Sequence, residues 1–181
     1  MEEAEPLQKE DKHENDKEPL QKEDTHENDK QPVILCKKVA IDWHGVLADS
    51  DNRVSEDNLC AVEKLLEKGI AATIMSYGGD ERNKTTLNHL RALRWFDKAS
   101  YQFTTRKVGS SGKAAWCRHL KIGCIIDDDV AICQECFAKS IQVFPIIGWS
   151  GDHRGLEHMS KGKVSASATL QVAIEKFLAG P

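Results

Sequence analysis

The stretch 39-VAIDWHGVLADS-50 decides how the chain is read. Val39, Ala40 and Ile41 form an apolar run that ends on Asp42, and His44, Gly45 and a second apolar run follow. An acid at the mouth of a buried strand, with a histidine and a turn residue behind it, raises the question of what chemistry gathers there. The strand itself is placed within Val33–Trp43, from about Lys38.

Working outward, Ser55 is expected to cap a helix with Glu56 and Asp57 in its first turn. Leu59, Val62, Leu65 and Leu66 form its apolar face, and Gly69 ends it. Ile70–Ser76 reads as a second strand and Asp80–Arg94 as a helix with Leu87, Leu90 and Leu93 on one side. Tyr101–Thr104 is a third strand, Gly112–Leu120 a helix, and Ile122–Ile126 a fourth strand that runs into three aspartates. Val130–Lys139 is a helix and Ile141–Ile147 a fifth strand. Leu170, Ile174, Phe177 and Leu178 mark a last helix. Short apolar strands alternating with helices indicate an α/β, three-layer, Rossmann-like domain around a five-stranded parallel sheet.

Chemically able residues stand just after three of those strands: Asp42 and His44, then Ser76, then Asp127 to Asp129. Lys113 opens a helix between them. In open parallel sheets, ligands bind at the carboxyl ends of the strands where the strand order reverses. Carboxylates converging there repel one another unless a cation joins them, and hard oxygen donors suit Mg²⁺. A lysine and a hydroxyl facing the same place suit a phosphate.

These four stations, in this order, resemble the haloacid dehalogenase (HAD) superfamily of phosphohydrolases. The resemblance rests on 42-DWHGVL-47, on Ser76 ending 73-TIMS-76, on Lys113 in 109-GSSGKAAW-116 and on the acidic end of 125-IIDDD-129. It covers about residues 36–150. It implies a central first strand flanked by the second and fourth. It implies that Asp42 is a nucleophile that forms an aspartyl-phosphate on a phosphorylated substrate. It implies Mg²⁺ held by Asp42, the backbone carbonyl of His44, Asp127 and Asp128. Ser76, Tyr77, Gly78 and Lys113 would hold the phosphoryl oxygens.

The departure from the family pattern is His44, which stands where family phosphatases carry the aspartate that acts as general acid and base. A histidine transfers protons near neutral pH. Three alternatives stay open: a phosphatase with a histidine acid/base, a variant with phosphonatase- or dehalogenase-like chemistry, and an inactive binding or regulatory protein. Only about 27 residues separate Asp49 from Ser76, filled by one helix and one strand, and no cap domain fits there or between Ser76 and Lys113. By the resemblance, a capless site is open to macromolecular phosphates or borrows a neighbouring subunit as a lid, so an oligomer stays open. The loop 148-GWSGDHRGLEHMSKGK-163 is the local substitute, with His153, Arg154, His158, Lys161 and Lys163 as candidate readers of a phosphorylated partner.

The remaining composition sets bounds. Residues 1–32 hold 12 acidic and 5 basic side chains, a net of −7 against −4 for the whole chain, so the body carries about +3. That is too weak to argue for nucleic acid on charge, except as a phosphate substrate. The repeats 5-EPLQKEDKHENDK-17 and 18-EPLQKEDTHENDK-30 each hold one leucine. They cannot bury enough surface to order themselves, so residues 1–32 read as a disordered acidic tail and 33–181 as the domain. The acidic opening MEEAEP is unlike a secretion signal and no apolar run matches a membrane span, which points to a cytoplasmic protein with reduced cysteines. The motif 133-CQEC-136 lacks the second pair of a zinc site, and Trp43, Trp95, Trp116 and Trp149 read as packing residues.

Overall fold

The structure, a computed structural model, describes residues 36–104, 111–148 and 153–180. The repeat tail and Trp149 lie outside the described residues. Among the described residues no helix is long and apolar enough to cross a membrane.

Strand β1 (Lys38–Asp42) is followed by α1 (Glu56–Glu67), β2 (Ala71–Tyr77), α2 (Asp80–Arg91), β3 (Ser100–Thr104) and α3 (Ser111–His119). Then come β4 (Cys124–Asp127), α4 (Val130–Ala138), β5 (Gln142–Pro145), α5 (Arg154–Met159) and α6 (Leu170–Ala179). The five strands are all parallel in the order β3-β2-β1-β4-β5. The chain winds outward from β1 to β3, then crosses back to β4 and continues to β5. The order therefore reverses between β1 and β4, the position where such sheets open a crevice.

Alternation along the strands builds the two cores. Val39 and Ile41, Ala72 and Ile74, and Cys124 and Ile126 pack with Val62 and Leu65 of α1, Leu90 of α2 and Ile174 and Phe177 of α6. Ala40, Met75 and Ile125 face the other way and pack with Cys117 of α3, Ile132 and Cys136 of α4 and Leu156 of α5. Burying both faces explains why the strands are continuous apolar runs rather than alternating ones.

Local chemistry sets the element ends. Ser55 Oγ accepts the N–H of Asn58 and caps α1, and Gly69 closes it at φ +71°. Helix α2 stops at Arg91, three residues before the expected end. Arg94 leaves the helix and pairs with Glu63 at 2.5 Å and Glu56 at 2.7 Å, tying the following turn to α1. The fourth strand starts at Cys124 rather than Ile122, because Lys121 sits at φ +55° and Ile122 N–H still bonds back to Cys117 O at 2.7 Å. Part of the expected loop 148–163 is helical: α5 buries Leu156 in the second core.

Candidate active site at the carboxyl ends of the strands

Register puts the two strand-end acids side by side. Ile41 lies opposite Ile126, so the next residues, Asp42 and Asp127, are neighbours at the β1/β4 reversal. Each is one step on from a residue of the α1/α2/α6 face, so both turn toward the face covered by α3 and α4. Lys113, in the first turn of α3, meets them there. Its Nζ donates to Asp42 Oδ1 at 2.6 Å and to Asp127 Oδ2 at 2.7 Å. All three side chains are buried. Asp42, Asp127 and Asp128 present one carboxylate oxygen each within 4.8 Å of one another.

The electrostatics follow from burial. It raises the pKa of Asp42, against the pull of Lys113. It pushes Asp127 up to about 7, with Lys113 opposing and the Asp42 charge adding to the rise. Asp128 is also raised, by burial first and by the Asp127 charge second. Burial works against the ammonium of Lys113, but Asp127 and Asp42 beside it prevail and drive its pKa up. One ammonium among three carboxylates leaves excess negative charge in a confined place, and a hard cation would relieve it.

The three consecutive aspartates divide their work. Asp127 Oδ1 accepts the N–H of Asp129 at 2.9 Å. Asp129 caps α4, its Oδ1 accepting from Ala131 at 2.8 Å and Ile132 at 3.1 Å. Asp128 is held between two glycines. A Cβ at Gly45 would lie 2.4 Å from Asp128 Oδ2, and one at Gly148 would lie 2.5 Å from the same oxygen. Gly45 also sits at φ +83°, where other residues are strained. Gly148 was not legible as a site residue, since nothing in its neighbours marks contact with an acid 20 positions earlier.

Ser76 and His44 form the other wall. Ser76 is fully buried, with Oγ 3.5 Å from His44 Nδ1. On the far side of the ring, Arg82 Nε donates to His44 Nε2 at 3.3 Å. A neutral imidazole that accepts at Nε2 carries its hydrogen on Nδ1, the atom facing Ser76. Burial and then the Arg82 cation lower the pKa of His44 to about 4, so the ring is neutral at neutral pH rather than titrating there. Tyr77 lines the cavity over Asp42, while the Gly78 N–H donates to Thr104 O at 3.1 Å and so belongs to the sheet. That cavity, of about 270 Å³, is shared by Asp42, Lys113, Asp127, Asp128, His44 and Arg82. A second cavity of about 490 Å³ adjoins it across His44, Arg82 and Asp128 and runs over Val46 and Ala48 to Asn58. Arg82, on both walls, is missing from the sequence-based site.

Other candidates lie elsewhere. His153 is buried rather than displayed, and its Nε2 has no hydrogen-bond partner among the described residues. Cys117, Cys133 and Cys136 are packed in the second core, and Trp43 and Trp95 are buried in the first.

No protein-family profile matches the sequence, and no curated protein sequence matches it. Solved structures do. The D,D-heptose 1,7-bisphosphate phosphatase of B. bronchiseptica, solved with magnesium and phosphate, matches with a TM-score of 0.55 at 11% identity, over 78% of this chain and 98% of that one. The same-named phosphatase of Burkholderia thailandensis matches with a TM-score of 0.53 at 13% identity, over 78% and 98%. A Streptomyces avermitilis protein described as of the HAD hydrolase family matches with a TM-score of 0.51 at 16% identity, over 82% and 91%. The chain thus has the fold of the HAD-type phosphatases, and its acids and lysine gather at the reversal point of that fold.

Proposed function

We propose that the protein is a Mg²⁺-dependent phosphohydrolase that acts through Asp42. The observation that carries this is the Lys113 ammonium buried between Asp42 and Asp127, with Asp128 completing three converged carboxylates at the β1/β4 reversal. As a plain structural device the arrangement is poor. Burying two acids and one base costs more than an apolar packing of the same volume. As a site for a divalent cation and a phosphoryl group it is coherent.

The donor set consists of carboxylate oxygens, the chemistry that Mg²⁺ accepts. Asp42, Asp127, Asp128 and the carbonyl of His44 would hold the ion, which would offset the charge of the transferring phosphoryl group. Asp42 would attack phosphorus, forming the Asp42–phosphorus bond as the bond to the leaving oxygen breaks. Water then hydrolyses the aspartyl-phosphate and returns free Asp42 and phosphate. Lys113 would steady the attacking carboxylate and neutralise the phosphoryl oxygens, and Ser76 Oγ would donate to one of them. Tyr77 borders the same space. The substrate is a phosphate monoester, and phosphorylated sugars are the class named for two of the similar structures.

One observation favours a second reading, a binding module without turnover. His44 replaces the expected acid, and its Nε2 is already taken by Arg82. Phosphate release from an aryl phosphate separates the two. Turnover that needs Mg²⁺, stops with chelator and drops by about three orders of magnitude or more in Asp42→Asn is the expected result. No release from wild type, and no gain in His44→Asp, would put the binding module first.

A further inference from the structure

Arg82 stands on the walls of both cavities. Its stem lies across Gly78. A Cβ there would come within 3.0 Å of Arg82 Cδ and within 3.2 Å of Cβ and Cγ. A side chain at 78 would press on this stem, so glycine there leaves Arg82 room to reach His44 without adjustment. Among the described residues no carboxylate pairs with it, and Nε is bonded to the His44 ring. This one is aimed by packing and by one imidazole, and its terminal N–H groups stay available. A guanidinium presents a planar fork that matches the two oxygens of a carboxylate or phosphate.

The larger cavity begins at this fork. Its other acids are already committed: Asp128 belongs to the carboxylate cluster, and Asp49 Oδ1 accepts the N–H groups of Asp51 at 2.9 Å and Arg53 at 2.8 Å. With a phosphoryl group over Asp42 and Lys113, the rest of the molecule would pass over the hydrogen-bonded His44–Arg82 pair, which lines both cavities, into this space. We propose that Arg82 is a specificity-determining residue that takes a second anionic group, a carboxylate or a phosphate, on the leaving-group side of a phosphate monoester. Esters that carry such a group are then the preferred substrates.

This inference rests on the hydrolase reading, so its test has one arm that turnover does not enter. In the first arm, kcat/KM with Mg²⁺ is compared for 3-phosphoglycerate and glycerol 3-phosphate, which differ by a carboxylate in place of a hydroxymethyl group. The expected preference in wild type is about tenfold or more. It falls to about one in Arg82→Gln, mainly through KM, and is intermediate in Arg82→Lys. Arg82 is exposed, so both variants fold, and the ratio cancels any general loss of rate. In the second arm, calorimetry follows both esters binding to Asp42→Asn with Mg²⁺, with and without Arg82→Gln. If wild type hydrolyses neither ester, the binding arm still decides the role of Arg82, while the aryl phosphate assay decides the hydrolase reading. A ratio near one for wild type in the first arm and for Asp42→Asn in the second, or a preference that survives Arg82→Gln, overturns the proposal.

Discussion

At Gly45 the backbone and the site make the same demand. The residue sits at φ +83° and faces an oxygen of Asp128 that a Cβ would approach to 2.4 Å. Gly45→Ala is expected to cost about 1–3 kcal/mol from strain alone and to weaken Mg²⁺ binding by displacing Asp128. Melting with and without Mg²⁺ checks both: the variant melts lower and gains less from the ion. Asp129→Ala is expected to behave oppositely. It removes the α4 cap and costs about 1 kcal/mol, leaving the Mg²⁺ midpoint unchanged, whereas Asp128→Asn shifts that midpoint with little change in melting. Asp42, Lys113 and Asp127 were legible in the sequence because each stands at a strand end or helix start that the apolar pattern marks. Arg82 was not, because it sits among Asp80, Glu81 and Lys84 in an ordinary charged first turn. The Gly78–Gly79 pair was the available signal, but a double glycine after a strand reads first as a turn. His44 was legible as an anomaly, yet its low pKa depends on burial and on Arg82, neither of which its neighbours in the chain disclose.

The elements carry their own tests. Ser55→Ala removes one acceptor from the start of α1 and should cost about 1 kcal/mol, seen as a lower urea midpoint at an unchanged slope. Lys113→Met acts at a larger scale, since Lys113 joins α3 to β1 and β4 through two carboxylates. Removing the one cation leaves two buried acids facing each other, with an expected loss of about 3–5 kcal/mol. Mg²⁺ should recover part of that loss in a thermal shift, and failure to do so would detach the acids from any metal. Every strand was readable from apolar runs, and the central place of β1 between β2 and β4 from the family resemblance. The end of α2 was not, because the Arg94 pairs with Glu56 and Glu63 span about 30 to 40 positions and no local propensity contains them. Helix α5 was missed for a related reason. Six residues give too few turns for a period, and Leu156 becomes core only once α4 is beside it.

For the molecule as a whole, the buried acids couple folding to pH. The pKa of Asp127 is raised from 3.8 to about 7, so across that window the folded state holds more protons than the unfolded one. Stability therefore falls as pH rises from about 4 to about 7 in chelator. On the proposed Mg²⁺ reading the ion would compete with those protons, so its stabilising shift should be larger at pH 7.5 than at pH 5. Melting across that range, with and without the ion, checks the sign. A profile that is flat in chelator would mean that Asp127 is ionised throughout.

The ion triad also bears on how such a domain diverges. Its members are linked to one another by short ion pairs at the strand ends, while the apolar cores are closed by α1, α2 and α6 on one face and α3, α4 and α5 on the other. Exchanging all three together, as Asp42→Leu, Lys113→Met and Asp127→Leu, is expected to leave the scaffold as stable as before or more so, though each exchange alone weakens it. Architecture and chemistry are thus separable inheritances here. A descendant that loses the charges together keeps a sound frame and an Arg82-lined hollow, ready for recognition without turnover.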